Sequence, residues 1–151
     1  MAGFRVLLCA DGSDHSRAAL EAGLTVVAPD ATPVFVTVMD EPDPTLVTGT
    51  GMASGVVTPD EFARQDLAEL QAAQAIVEEA RTLLHLEQAE SHVLRGDPGS
   101  AICRYAEETG AGAIVMGSRG RGGLKRAVLG SVSDYVVRHA RCPVIVTSAR
   151  D

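Results

Sequence analysis

Gly117, Gly120, Gly130 and Ser131 define the chemistry open to this chain: glycine, two residues, glycine, nine residues, glycine, serine. Gly117 and Gly120 let the backbone turn tightly and approach a ligand with no Cβ in the way. Gly130 and Ser131 fall where a following helix should begin, and the free amides and positive dipole end there form a seat for phosphate. Ser131 and Ser133 add hydroxyl donors. Arg119, Arg121, Lys125 and Arg126 lie in the same stretch with no acid among them, and Lys125 is the only lysine present. A cationic loop on a protein of net charge −7 points to a small anionic ligand. Nucleic acid is disfavoured, since nonspecific binding rests on neutralising many phosphates. Aromatic residues, at 3%, are also too scarce for stacking single strands.

Competing motifs fail on placement. A dinucleotide fingerprint should follow the first strand, where the turn reads ADGSD with one glycine. A Walker loop needs Gly-Lys-Ser/Thr ahead of a helix, and Lys125 is not so placed. No serine sits in a Gly-x-Ser-x-Gly elbow. His15, His85, His92 and His139 share no metal spacing and read as solvated or helix-end residues. Cys9, Cys103 and Cys142 are odd in number and likewise lack metal spacing, so they read as reduced, buried thiols.

The elements that must position the loop follow from periodicity and caps. Residues 4–10 (FRVLLCA) form a continuous apolar run, the mark of a strand buried on both faces. Ser13 or Asp14 can cap a helix with Ala18, Ala19, Ala22 and Val26 on its apolar face and its end at Pro29. Residues 34–39 (VFVTVM) are a second buried strand, stopped by Asp40. Residues 41–57 lack periodicity and read as a mobile loop. Thr58, Pro59 and Glu61 make a capping box. The long helix after it carries Leu70, Ala73, Val77, Ala80 and Leu84 on one stripe. A more polar third strand begins near His92. Asp97 and Pro98 open a helix with Ala101, Ile102, Tyr105 and Ala106 inward, ended by Gly110. Residues 113–116 (AIVM) are strand four, residues 131–140 a helix with Val132, Val136 and Ala140 inward, and residues 143–147 (PVIVT) strand five.

Alternating strands and helical crossovers imply a Rossmann-like α/β fold: one open parallel five-stranded sheet with helices on both faces. Ligands in such sheets bind beyond the carboxyl ends of the strands, where the strand order reverses. That nominates the loops after strands one (Asp11), two (Asp40) and four (Gly117 onward). The chain has 151 residues, 46% hydrophobic and 22% charged, which suits a single soluble domain spanning 1–151. No apolar run approaches the ~20 residues that span a bilayer. Residues 1–5 carry no basic export region, so a cytoplasmic protein is expected.

The segment GSRGRGGLKRAVLGSVSDYVVRHARCPVIVTS resembles the C-terminal signature of the universal stress protein family. Its ATP-binding pattern is met by Gly117, Gly120, Gly130 and Ser131, and LLCADGSDHS is similar to its first strand and Asp-containing loop. The resemblance covers nearly the whole chain and is weakest over residues 41–66. It implies the adenine nucleotide α-hydrolase-like form of the fold, strand order 3-2-1-4-5, and membership of the ATP-binding subgroup. It implies that Ala10 and Asp11 lie against the adenosine and Val38 against the base. Met116 and Gly117 would flank ribose and phosphates, while Gly120, Gly130, Ser131 and Val132 cradle the phosphates with Ser133 in reach; Gly96 is a weaker candidate, and Arg119 is a binding candidate by its charge beside the same seat. Mg²⁺ would be held mainly by phosphate oxygens. The family also implies a homodimer through strand five, whose apolar edge needs a partner. The expected function is an ATP-dependent regulatory module with little or no turnover. The alternatives are a slow ATP-hydrolysing enzyme of the same fold and a module that acts only through its dimer surface. The sequence names no protein partner.

Overall fold

The computed structural model describes residues 3–42, 57–119 and 129–148. Most of the 41–57 loop, and with it Gly120, Arg121, Lys125 and Arg126, lies outside the described residues. The elements run β1 (Arg5–Cys9), α1 (Asp14–Leu24), β2 (Thr32–Met39), α2 (Pro59–Leu83), β3 (Glu90–Arg95), α3 (Pro98–Thr109), β4 (Ala113–Gly117), α4 (Ser131–His139) and β5 (Val144–Thr147). All pairings are parallel, and the strands lie in the order β3-β2-β1-β4-β5. This is the sheet the family resemblance implies.

The apolar runs are continuous because both sheet faces are covered. Side chains alternate along each strand. Val6, Leu8, Phe35 and Val115 point to one core, which receives Leu20 of α1 with Val77 and Ala80 of α2. Leu7, Val34, Val36, Ile114 and Met116 point to the other, against Ile102 and Ala106 of α3 and Val136 of α4. β3 pairs only with β2 among the described strands, and its polar sequence is that of an edge.

Local capping shapes the helices. Ser13 Oγ accepts the Ser16 N–H at 3.1 Å. The box at α2 closes in both directions: Glu61 N–H donates to Thr58 Oγ1 at 3.3 Å and Thr58 N–H to Glu61 Oε2 at 2.9 Å. The Asp97 carboxylate accepts the Ser100 N–H at 3.0 Å. Gly110 ends α3 in the left-handed region, at φ 63°, where a residue without a Cβ pays no steric penalty.

Three expectations shift. α1 ends at Leu24, with Thr25 as its cap, well before Pro29. Its buried face is Ser16, Ala19, Leu20 and Gly23, whereas Ala22 is exposed and Val26 is 69% exposed. The helix rotates because Gly23 allows it to press on β4. β2 begins at Thr32 and includes Pro33, opposite Val6; a proline at a strand's start is tolerated but masks that start in a sequence. β3 begins two residues before His92, at Glu90, paired with Val34.

Candidate functional site

The strand order reverses between β1 and β4, because β1 leads by α1 to one side and β4 leads by α4 to the other. At the carboxyl ends of β1, β2 and β4 lies a cleft of about 690 Å³, within the range that holds small ligands. Ala10 and Asp11 enter it after β1, Val38 from β2, and Met116, Gly117 and Arg119 from the end of β4. Gly130, Ser131, Val132 and Ser133 enter it from the start of α4. The site residues expected from the sequence thus line one cleft, apart from the weaker candidate Gly96 and from Gly120, which lies outside the described residues.

Each wall has a local cause. Asp11 Oδ1 accepts from the Ser13 N–H at 2.8 Å and the Ser13 hydroxyl at 2.6 Å, which folds the chain into a tight turn. The Ser16 hydroxyl, 3% exposed, donates to the Cys9 carbonyl and accepts from the Asp11 N–H, both at 3.3 Å. The end of β1 is thereby tied to α1. A Cβ built on Gly117 would stand 3.3 Å from Ala19 Cβ and 3.5 Å from the Arg119 carbonyl oxygen, so the chain leaves β4 with little room for a side chain.

The start of α4 differs from the other helix starts. No side chain of the described residues caps it; Gly130, at φ −73° and ψ 170°, is the N-cap. Among the described residues no side chain accepts the amides of its first turn. Gly130 N–H donates to the Ser118 carbonyl at 2.6 Å, and Ser118 N–H donates to the Thr147 carbonyl at 2.9 Å. Asp134, on the next turn, pairs with Arg138 Nε at 2.9 Å and does not line the cleft.

The sequence missed the wall made by α2. Glu69, Ala72, Ala73 and Ile76 line the cleft opposite β2. Their spacing is one helical face, and the small Ala72 and Ala73 leave space there. The spacing is visible in the sequence, but the packing of that face across β2 is not. Asp66 and Arg95 fix the wall at the sheet edge through two parallel bonds of 2.8 and 3.1 Å, and this partner holds the guanidinium above its ordinary pKa. Cys9, half-buried at the cleft base, has its thiol pushed up from 9.0 to about 12, chiefly by burial. Among the described residues, no three His, Cys, Asp or Glu side chains could jointly hold a metal ion, and no helix is long and apolar enough to cross a membrane.

A doubly wound parallel sheet with a cleft at its switch point defines the Rossmann-like class of α/β proteins. Within it, the chain belongs to the universal stress protein family, whose profile matches residues 4–148. It is 31% identical to the universal stress protein YxiE of Bacillus subtilis over 145 residues, covering 94% of this chain and 97% of YxiE. Among solved structures, the hypothetical protein MJ0577 superposes with a TM-score of 0.71 at 20% identity, covering 100% of this chain and 99% of that one. A universal stress protein in complex with cAMP gives 0.64 at 23% identity, covering 99% and 100%. An Arabidopsis thaliana member with AMP bound gives 0.61 at 18%, covering 97% and 92%.

Proposed function

We propose that the cleft binds ATP and that the protein acts as a nucleotide-dependent regulatory module of the stress response, with little or no turnover. The observation that carries this reading is the start of α4. Its amides at Ser131 and Val132 have no side-chain cap among the described residues, and both residues line the cleft. An anion there meets both the free amides and the positive dipole end, with Arg119 on the same rim. Val38, Met116, Ala72 and Ile76 give the cleft an apolar part that supports a base near β2, with the phosphates at α4. The cAMP and AMP held by solved relatives support an adenine nucleotide.

In this reading Ala10 and Asp11 meet the adenosine and Val38 the base, while Met116, Gly117 and Arg119 flank ribose and phosphates. Gly120, Gly130, Ser131 and Val132 contact the phosphates. Mg²⁺ accompanies ATP on phosphate oxygens and water. The protein works in the cytoplasm as a homodimer joined along residues 143–147. Calorimetric titration with ATP, AMP and adenosine tests the ligand. The reading predicts saturable binding of ATP at one site per chain, and absence of ATP binding would overturn it.

A further inference from the structure

Ser133 lines the cleft, yet its hydroxyl is already committed. The residue is 3% exposed and Ser118 is 8% exposed. Ser133 Oγ lies 3.0 Å from the Ser118 carbonyl oxygen and 3.1 Å from that of Gly130, so its single proton is shared between two acceptors. The Ser118 carbonyl also accepts the Gly130 N–H at 2.6 Å. One carbonyl at the exit of β4 thus receives both the N-cap amide and a side chain from the first turn of α4. These bonds join Ser118 at the exit of β4 to Gly130 and Ser133 and set where α4 begins relative to β4. A phosphate taking the Ser133 hydroxyl would leave the Ser118 carbonyl with the Gly130 N–H alone and undo the link between β4 and α4.

We infer that Ser133 is a positioning residue: its hydroxyl ties the exit of β4 at Ser118 to the start of α4 at Gly130 so that the α4 amides and Arg119 face one point, and that hydroxyl does not itself contact the ligand. The inference rests on the phosphate reading of the α4 start. The test uses the full chain with Ser133→Ala and Ser133→Thr. The first readout is amide hydrogen exchange at Gly130 without nucleotide. Loss of one net hydrogen bond of about average strength corresponds to roughly fivefold faster exchange. That acceleration is expected in Ser133→Ala and not in Ser133→Thr, which keeps the hydroxyl. The second readout is affinity: ATP should bind Ser133→Ala about fivefold more weakly, adenosine should bind unchanged, and Ser133→Thr should recover ATP.

Weakened ATP binding with unchanged exchange in the free protein would identify Ser133 as a direct phosphate donor and overturn the inference. Faster exchange with undiminished ATP affinity would overturn it as well, because the link would then position nothing. If the parent protein binds no ATP, the functional reading fails separately, and unchanged exchange at Gly130 would still be sufficient to reject the link. Urea unfolding of both variants checks that each is folded before either readout is taken.

Discussion

Gly23 of α1 lies so close to Val115 of β4 that a Cβ built on the glycine would stand 2.3 Å from Val115 Cγ1. Val115 is fully buried and stiff at χ1, so it cannot swing aside. Gly23→Ala should therefore lift α1 from the sheet. Overpacking of this kind costs about 1–3 kcal/mol, against a gain of roughly 1 kcal/mol in helix propensity. The expected outcome is a lower urea midpoint with an unchanged m-value. A raised midpoint would show that helix propensity outweighs the contact.

Gly130→Val separates ligand clash from backbone strain. Gly130 sits at φ −73°, a conformation open to any residue, so the fold should survive with its circular dichroism unchanged. The branched side chain would stand where phosphate is proposed to approach, and calorimetry should register no ATP binding. Parent-like binding would move the phosphates elsewhere in the cleft.

Alkaline pH should destabilise the protein through Cys9. Burial pushes this thiol from 9.0 to about 12, with smaller contributions from Cys103 and Cys142. The folded state therefore holds its proton after the unfolded state has lost it. The contribution is intact below pH 9 and falls as pH rises toward 12, by up to about 1.4 kcal/mol per pH unit. Urea unfolding of Cys9→Ala should show a shallower alkaline decline than the parent. Parallel decline in the two proteins would remove Cys9 as the cause.

ATP should be held rather than consumed. Hydrolysis needs a positioned water and an acceptor for its proton as well as charge stabilisation. The α4 start supplies donors, which grip ground state and transition state alike. Asp11 is engaged with Ser13 in the turn after β1, and Asp134 is paired with Arg138. ADP release from purified protein with Mg²⁺ and ATP should be slow, below one per minute. Turnover near the ~10 s⁻¹ median of enzymes, lost in Ser131→Ala, would establish a hydrolase.

The β5 edge should pair with a second copy of the chain. Val144, Ile145, Val146 and Thr147 are all partly exposed, and an open apolar edge is prone to association. A closed twofold dimer satisfies both copies at once. Light scattering should give twice the chain mass at micromolar concentration, and a monomer would reject the pairing.

The sequence by itself determined the kinds and order of the elements. Its signals act between near neighbours: the Thr58–Glu61 box, the Asp97 cap, Gly110 after α3, and apolar runs long enough to need cover on both faces. The glycine spacing from Gly117 to Gly130 is equally local, so the loop residues around the cleft were legible, and family resemblance supplied the strand order. Tertiary structure decided what these local signals leave open. Gly23 turned α1 onto Val115, so that of the expected Ala18–Ala19–Ala22–Val26 face Ala19 is buried while Ala22 and Val26 are exposed, because a close backbone approach outweighs side-chain hydrophobicity. α2 was read as a core stripe, yet its neighbouring face of Glu69, Ala72, Ala73 and Ile76 became a cleft wall, since only the crossover from β2 to β3 brings it over the strand ends. Ser133 was read as a phosphate donor from its place beside Ser131. Its burial against the Ser118 carbonyl exists only once β4 and α4 are packed, and that contact turns a helix-start serine toward the exit of β4.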